Sequence, residues 1–349
     1  MNKTVKSKKI GILTAGGDCP GLNAAIRGVG KTAIVEYGMT VLGFNAGFSG
    51  LINNDFIELK ESQLSGILTI GGTILGTSRE KPYKLVAEDG KENHKPEKII
   101  ETYNNLGLDC VVCIGGNGTM KTAHLLSREG LNIIGIPKTI DNDVWGTDVT
   151  FGFDSAVQIA TEAIDRLHTT ANSHQRVMII EIMGHNAGWL TLYSGLAGGG
   201  DIILLPEIPF NIQSVYRNIE KRYKDKKPYS IVVVAEGIEH PDHQGAASYI
   251  AKLIETHTGI ETRETVLGYV QRGGSPSPMD RILATRYGAF AAQCIAEGCF
   301  GTMVAIKKNE LTTVPLGEVG GKMRLVDPQL GLIQKARKMG VSFGDEENA

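Results

Sequence analysis

The chain has no long apolar run and almost no net charge, and these two absences exclude several function classes. None of its 349 residues lies in a stretch approaching the roughly 20 apolar residues of a membrane-spanning helix. The formal net charge of −2 argues against nucleic acid or an anionic membrane as the main partner. We therefore expect that local basic clusters bind any anionic ligand.

Cysteine is scarce as well, and its spacing is typical neither of a metal site nor of a disulfide framework. Of five cysteines, Cys110 and Cys113 form a C-x-x-C pair. Both lie in a predicted strand, in which positions i and i+3 face opposite sides, so a redox pair is not expected. Residues 1–9 are basic and lack an apolar signal core, which favours a cytoplasmic location.

Two nucleotide-binding patterns are also missing from the places where they would function. No Gly-x-Gly-x-x-Gly follows a predicted strand, so a dinucleotide fold has no support. Residues 25–32 fit a loose phosphate-loop pattern, but they lie inside a predicted helix over Asn23–Glu36 rather than at a strand-to-helix turn.

Glycine, in contrast, is abundant, with 44 residues in 349 against a usual share of about 7%. The excess lies at strand ends and turns of an alternating strand and helix pattern. The predicted strands are Lys8–Thr14, Val41–Phe44, Cys110–Ile114, Ile133–Ile136, Val177–Ile182, Ile202–Leu204 and Ile231–Ala235. The further predicted helices are Pro96–Asn104, Lys121–Arg128, Asp154–Thr169, Asn186–Leu196, Ile212–Tyr223, Ala246–Thr256, Met279–Ala296 and Gln329–Lys338. The pattern predicts an α/β protein with two Rossmann-like three-layer domains, mostly parallel sheets and an active site in the cleft between them.

Two loops carry the most informative polar groups. Gly115–Thr119 follows one predicted strand, and Pro137–Asp143 follows the next. Ligands bind at such carboxyl ends in open α/β sheets. The glycines of the first loop let backbone N–H groups approach an anion, while the second loop supplies a lysine and two carboxylates. A phosphate-binding loop beside a carboxylate base suits phosphoryl transfer to a sugar hydroxyl.

With four further motifs, these loops resemble the 6-phosphofructokinase family, in its nonallosteric branch that uses ATP or pyrophosphate. From about Lys9 to about Ile306 the motifs stand in family order: Gly16–Asn23, Gly71–Arg79, Gly115–Thr119, Pro137–Asp143, His174–Arg176 and Gly268–Gly274. The last two separate this family from lipid and dinucleotide kinases, which share only a glycine-rich loop. The resemblance implies Mg²⁺-dependent phosphorylation of fructose 6-phosphate at its 1-hydroxyl, a step of glycolysis.

The resemblance also implies roles for the two predicted domains and for the second loop. Residues 1–150 with about 265–315 would bind the phosphoryl donor, and about 151–264 with 316–349 the sugar phosphate. Asp141 matches the family's base, and Thr139 would hydrogen-bond the migrating phosphoryl group. Asp143 would support the base or the metal, and Lys138 would place a cation by the terminal phosphates.

Donor binding is implied for a set of residues in the glycine-rich segments: Gly17, Arg79, Lys84, Gly116, Asn117, Gly118 and Thr119. Enzymes that use pyrophosphate usually carry aspartate at position 118, where it crowds and repels the α-phosphate of ATP. Gly118 therefore favours ATP. Lys138 favours pyrophosphate instead, so a pyrophosphate-dependent enzyme stays open as the alternative.

Asn117 is a departure from the family, whose members usually have an aspartate that contacts the metal there. An amide oxygen can still ligate Mg²⁺, but it brings no charge. We expect a raised Mg²⁺ requirement. The departure also leaves open a non-catalytic subunit that binds sugar phosphate.

Sugar-phosphate binding is implied for residues of the second half: Arg176, Met183, Gly184, Glu236, Arg263, Tyr269 and Arg272. Arg176 and Arg263 match a pair that reaches the 6-phosphate from a neighbouring subunit, which implies a homotetramer, with a dimer as the alternative. Arg272 matches a contact within the same subunit. Tyr269 stands where many relatives have histidine. Another sugar phosphate, such as sedoheptulose 7-phosphate, stays open as the acceptor.

The allosteric site of bacterial relatives is only partly kept. Arg27 and Lys31 match its basic residues, whereas Asp55, His168 and Asp225 stand at other basic positions. Acidic replacements repel an anionic effector, so the sequence predicts little response to ADP or phosphoenolpyruvate.

Overall fold

The structure, a computed structural model, describes residues 7–84, 95–241 and 244–346, so residues 1–6 of the basic N-terminal segment lie outside it. The chain divides into two compact units. Unit 1 comprises Met1–Thr139, Asp143–Asp154 and Arg272–Met323, and unit 2 comprises Ile140–Asn142, Ser155–Gln271 and Arg324–Ala349. The assignment of donor and sugar phosphate to separate domains, and of the active site to a cleft, stays a prediction.

Each unit is built on one sheet. The strands are β1 Lys9–Thr14, β2 Thr40–Phe44, β3 Phe56–Glu58, β4 Cys110–Gly115, β5 Ile133–Pro137, β6 Val177–Ile182, β7 Ile202–Leu204, β8 Ser230–Ala235, β9 Thr262–Val266, β10 Thr302–Lys307 and β11 Glu310–Pro315. The sheet of unit 1 has the order β11-β10-β5-β4-β1-β2-β3, and that of unit 2 has the order β7-β8-β6-β9. Only the β2–β3 and β10–β11 pairs are antiparallel among these strands. The predicted α/β fold with mostly parallel sheets is confirmed.

The helices flank these strands. They are α1 Leu22–Val35, α2 Phe48–Asn53, α3 Lys95–Leu106, α4 Asn117–Arg128, α5 Phe153–His174, α6 Trp189–Ala197, α7 Ile212–Lys224, α8 Ala246–Thr258, α9 Pro278–Glu297, α10 Leu316–Val319 and α11 Gly331–Lys338. Within the described residues, no helix is long and apolar enough to cross a membrane.

The phosphate-loop-like pattern at residues 25–32 serves helix packing. It lies within α1, as predicted, and α1 packs closely against α9. A Cβ on Gly28 would lie 2.8 Å from the carbonyl oxygen of Thr285, and one on Gly288 would lie 2.5 Å from that of Ala25. These glycines let the two helix backbones approach each other.

The central strands form the core. All residues of β4, β5 and β8 are buried. Burial of such aliphatic side chains contributes about 25 cal/mol per Å² of apolar surface removed from water. Cys110 and Cys113 lie in this core. Because burial disfavours the thiolate, the pKa of Cys113 is raised to about 12, and its thiol is protonated at neutral pH.

Candidate active site

The glycine-rich loop is the start of a helix. The sequence predicted that α4 begins at Lys121, but it begins at Asn117, directly after Gly116 at the N-cap. The prediction was wrong because residues of low helix propensity form the first turn here. The first N–H groups of a helix have no intrahelical acceptor and lie at the positive end of its dipole. The loop therefore presents an anion-binding N-terminus at the carboxyl end of β4.

Packing requires glycine at Gly115 of this loop, but not at Gly118. A Cβ on Gly115 would lie 2.2 Å from Oγ1 of Thr119, so packing excludes a side chain. At Gly118, apart from chain neighbours and the helix's own backbone, no heavy atom of the described residues lies within 4 Å of an added Cβ. Protein packing therefore leaves space at position 118 for a ligand or a side chain.

Two cationic side chains of unit 1 converge on the loop that follows β1. The Lys138 ammonium donates a hydrogen bond to the carbonyl oxygen of Gly17. Arg272 Nη1 donates to the carbonyl oxygen of Asp18 at 3.5 Å, and a Cβ on Gly17 would lie 1.9 Å from the same nitrogen. Gly17 thus allows the close approach of Arg272, which the sequence assigned to the sugar phosphate.

The segment that carries Arg79 is fixed to the end of β1 by hydrogen bonds. Oγ1 of Thr14 donates to Gly76 at 2.7 Å, and Oγ1 of Thr77 donates to Gly16 at 2.8 Å, both to carbonyl oxygens. The exposed Arg79 follows this fixed segment. Lys84 is also exposed and is the last described residue before the gap at 85–94.

Asn23 stabilises the start of the same segment. Its amide is fully buried, donates to the carbonyl oxygen of Ile70 at 3.0 Å and accepts from the backbone N–H of Ile74 at 2.7 Å. The sequence placed Asn23 in the Gly16–Asn23 motif but predicted no role for it. The structure gives it one, because it holds the backbone that leads to Arg79.

Asn117 and Asp143 form a hydrogen-bonded pair within unit 1. Asn117 Nδ2 donates to Asp143 Oδ2 at 2.8 Å and to its carbonyl oxygen at 3.3 Å. The opposite amide atom, Oδ1 of Asn117, is buried and has no hydrogen-bond partner in the described part of the chain. A buried oxygen left in this way is suited to a ligand such as a cation or its bound water.

The oxygens of these two residues suit a divalent cation whose coordination is completed by waters and substrate phosphates. Within the described residues, no three His, Cys, Asp or Glu side chains cluster as a metal site. Mg²⁺ typically takes one or two protein oxygens and fills its other positions with waters and phosphates. Asn117 Oδ1 and the Asp143 carboxylate supply such oxygens.

The loop at residues 137–143, at the end of β5, carries the candidate base, Asp141. Lys138 and Thr139 are buried, and Oγ1 of Thr150 donates to the carbonyl oxygen of Thr139 at 2.8 Å. Asp141, two residues later, is half-buried and belongs to unit 2. Hydrogen bonds thus fix the backbone just before Asp141.

Arg324 fixes the backbone just after the candidate base. Asn142 has a left-handed φ of 52°, and its carbonyl oxygen accepts from Arg324 Nη1 at 3.0 Å. The Arg324 guanidinium stacks 3.9 Å from the ring centroid of Trp189, whose Nε1 donates to the Arg324 carbonyl oxygen at 2.9 Å. The sequence gave no signal for Arg324, because it lies outside the six motifs.

Three predicted sugar-binding residues come together at the carboxyl ends of β6 and β8. Oε1 of Glu236 accepts from the backbone N–H groups of Gly184 at 3.1 Å and His185 at 2.7 Å. Gly184 has a φ of 148°, and an added Cβ would lie 2.5 Å from the Ala187 carbonyl oxygen. Met183 precedes this turn and is half-buried.

The predicted phosphate-binding arginines lie at the other end of the same sheet. Arg176 directly precedes β6, and Arg263 is the second residue of β9, paired in register with Met178. The six residues of β6 and Met183 lie between Arg176 and Gly184, and the strand alone spans about 20 Å at the usual rise. Tyr269 lies beyond β9 and is 72% exposed. Within one chain, the structure does not bring Arg176 and Arg263 to Glu236.

Three residues at the predicted effector-site positions, Lys31, Asp55 and His168, contact neighbouring residues. Nζ of Lys31 lies 3.7 Å from Oε1 of Glu61, and Oδ1 of Asp55 accepts a hydrogen bond from Nδ2 of Asn45 at 2.8 Å. His168 Nε2 donates to the carbonyl oxygen of Gly198 at 2.6 Å. Its Nδ1 lies 3.0 Å from the hydroxyl of Tyr229. Arg27 is half-buried on α1, and Asp225 follows α7.

Comparisons with known proteins agree with this arrangement of loops and sheets. The profile of the family described as Phosphofructokinase matches residues 9–295. The ATP-dependent 6-phosphofructokinase 3 of Bacteroides thetaiotaomicron is 59% identical over 338 residues, covering 96% of this chain and 100% of the relative. A pyrophosphate–fructose 6-phosphate 1-phosphotransferase of Streptomyces coelicolor is 45% identical, covering 96% of this chain and 100% of that protein. The crystal structure of Pichia pastoris phosphofructokinase in the T-state superposes with a TM-score of 0.82 at 33% identity, over 91% of this chain and 36% of that one.

Proposed function

The chain belongs to the phosphofructokinase family, and from that membership we propose that it transfers the terminal phosphoryl group of ATP to the 1-hydroxyl of fructose 6-phosphate. The observation that carries the choice of donor is the space at Gly118 on the first turn of α4. Inorganic pyrophosphate does not need that space, whereas the α-phosphate of ATP does. The relative at 59% identity is named as ATP-dependent, in agreement with this donor.

Asp141 is the base in the proposed reaction. Its carboxylate accepts the proton of the attacking 1-hydroxyl, while Thr139 and Lys138 stabilise the charge on the migrating phosphoryl group. The hydrogen bonds that hold Thr139 and Asn142 fix the backbone on both sides of Asp141. Fixed positions of this kind matter because phosphoryl transfer depends on orientation and electrostatic stabilisation.

A divalent ion would neutralise phosphate charge when bound, and we assign it as Mg²⁺ held through Asn117 and Asp143. The α4 N-terminus with Gly116 and Thr119 then binds the donor phosphates through backbone N–H groups. Arg79, Lys84 and the two cations beside Gly17 add positive charge. We place the enzyme in the cytoplasm, where glycolysis proceeds.

Asn117→Asp is expected to lower the Mg²⁺ concentration for half-maximal rate by about tenfold, because a carboxylate attracts the ion more strongly than an amide does. In the wild type, Asn117 Nδ2 donates to Asp143, whereas two adjacent carboxylates repel one another unless a cation lies between them. Mg²⁺ titrations of both proteins at saturating substrates check this, with Asn105→Asp on α3 as the control, because the Asn105 side chain is exposed. Coincident curves for wild type and Asn117→Asp would show that position 117 is not linked to the metal.

The sugar phosphate is bound by Met183, Gly184, Glu236, Tyr269 and Arg272, with Arg176 and Arg263 donated by a neighbouring subunit. The support is the distance of about 20 Å between the two arginines and the Glu236 loop within one chain. One fructose 6-phosphate cannot contact both ends of that sheet. We therefore propose a homo-oligomer, a tetramer in preference to a dimer.

Mixed oligomers test this arrangement. Arg176→Glu and Asp141→Asn are each expected to be nearly inactive. When equal amounts of the two variants are refolded together, random assembly should restore about a quarter of the wild-type number of active sites. Each restored site combines Asp141 of one subunit with Arg176 of another. No recovery in mixed assemblies verified by light scattering, or an active wild-type monomer, would contradict a shared site.

Initial rates with fructose 6-phosphate and Mg²⁺, measured with ATP and pyrophosphate in parallel, test the proposed function. Turnover with ATP supports it. Turnover with pyrophosphate alone would favour the second candidate, a pyrophosphate-dependent phosphotransferase. Lys138 and the Streptomyces coelicolor relative support that candidate. Binding of fructose 6-phosphate without turnover would indicate a non-catalytic subunit.

A further inference from the structure

Glu261 lies between the two arginines that are proposed to bind the sugar phosphate. It directly precedes β9, and its carbonyl oxygen accepts from the backbone N–H of Val177 at 3.1 Å. Its side chain uses one oxygen for each arginine. Oε2 accepts from Arg176 Nε at 2.5 Å, and Oε1 accepts from Arg263 Nη2. One carboxylate therefore bridges both guanidinium groups.

The bridge contributes little to folding stability, because its members are solvent-accessible. The side chains of Arg176, Glu261 and Arg263 are 26%, 42% and 52% exposed. Exposed ion pairs typically contribute little to the free energy of unfolding. Its effect on geometry is larger, since two guanidinium groups held side by side repel one another unless an anion lies between them.

The bridge also selects which N–H groups remain available. Arg176 is held by Nε, and its Nη1 and Nη2 have no hydrogen-bond partner in the described ranges 7–84, 95–241 and 244–346. Arg263 is held by Nη2, and its Nη1 donates to the carbonyl oxygen of Thr262 at 2.7 Å. The Nη edge of Arg176 is the edge that can form two parallel hydrogen bonds to a phosphate.

We propose that Glu261 is a positioning residue for the phosphate of the acceptor. It holds Arg176 and Arg263 in one arrangement before the sugar phosphate binds. The three side chains together carry a net charge of +1, which attracts the phosphate dianion of the sugar. The inference rests on the proposed function, because it assigns the 6-phosphate of the acceptor to these arginines. Glu261 itself does not contact the substrate.

Steady-state kinetics of Glu261→Gln test the proposal. The variant removes the charge and one of the two acceptors, so the arginines lose their common partner. We expect KM for fructose 6-phosphate to rise about tenfold, with kcat within about twofold and KM for ATP unchanged. Glu261→Asp keeps the carboxylate and is expected to recover most of the affinity. A residue with a purely structural role would not separate the two Michaelis constants in this way.

Glu264→Gln is the matched control, because Glu264 lies on the same strand, is exposed, and has no ion pair within the described residues. It is expected to match the wild type. If Glu261→Gln leaves KM unchanged, the bridge is a surface ion network only. If KM falls, Glu261 competes with the phosphate for the arginines, which also overturns the proposal. A wild type that is inactive with fructose 6-phosphate would instead refute the proposed function.

Discussion

Asp141→Asn is expected to lower kcat at least about 10²-fold, because an amide cannot accept the proton of the attacking hydroxyl. Asparagine has nearly the same shape, and the hydrogen bonds that fix Thr139 and Asn142 involve other atoms. The loop backbone should therefore keep its conformation, and KM for fructose 6-phosphate should change little. Initial rates at saturating ATP and fructose 6-phosphate give the comparison.

The control for this variant is Asp165→Asn. Asp165 is exposed on α5 and has no hydrogen bond or ion pair within residues 7–84, 95–241 and 244–346. Asp165→Asn makes the same chemical change in unit 2, on α5 rather than on the loop that carries Asp141, and this variant should retain full turnover. Near-wild-type kcat for Asp141→Asn would mean that another group, or water, accepts the proton, and the assignment of the base would be wrong.

The framework of both sheets could be predicted from the sequence because buried parallel strands leave a clear pattern. The seven predicted strands are present within one residue at each end, and the nine predicted helices are present. Apolar runs such as Cys110–Ile114, bounded by glycine or polar residues, fix both the existence and the ends of a strand. Glycine-rich segments at those ends then predicted the phosphate-binding loop.

Other strands gave no usable pattern. The hairpin of β10 and β11 turns at Lys308 and Asn309, whose φ values are 51° and 68°. Such turns usually carry glycine or asparagine at both central positions, so a lysine conceals the signal. β9 is a mostly polar edge strand with three of its five residues exposed, and it lacks the apolar alternation of a half-buried strand.

Residues that position the candidate site were harder to find than residues that would contact ligands. Asn23, Glu261 and Arg324 act through backbone atoms or through other side chains. Most of their partners are distant in the sequence, 182 residues away for the bond from Arg324 to Asn142 and 85 for that from Arg176 to Glu261. Local motifs cannot encode such contacts, because only the folded topology brings these partners together.

Gly118→Asp is expected to lower kcat/KM for ATP about 10²-fold, because a carboxylate beside the α-phosphate both occupies its space and repels its charge. The variant should fold normally. Gly118 lies in the first turn of α4, and in the part of the chain that the structure describes no heavy atom beyond its chain neighbours and the helix's own backbone lies within 4 Å of a Cβ there. An acidic residue in the first turn of a helix is stabilising. Thermal denaturation should therefore show a Tm no lower than that of the wild type.

Gly118→Asn separates the two causes of this loss, since asparagine has the bulk of aspartate without its charge. A smaller loss for asparagine than for aspartate would show that charge repulsion dominates, and equal losses would show that bulk does. Rates with pyrophosphate should fall less than rates with ATP, because pyrophosphate has no third phosphate to place near position 118. If Gly118→Asp keeps wild-type kcat/KM for ATP, then the α-phosphate does not lie near this residue, and the donor assignment loses its main support.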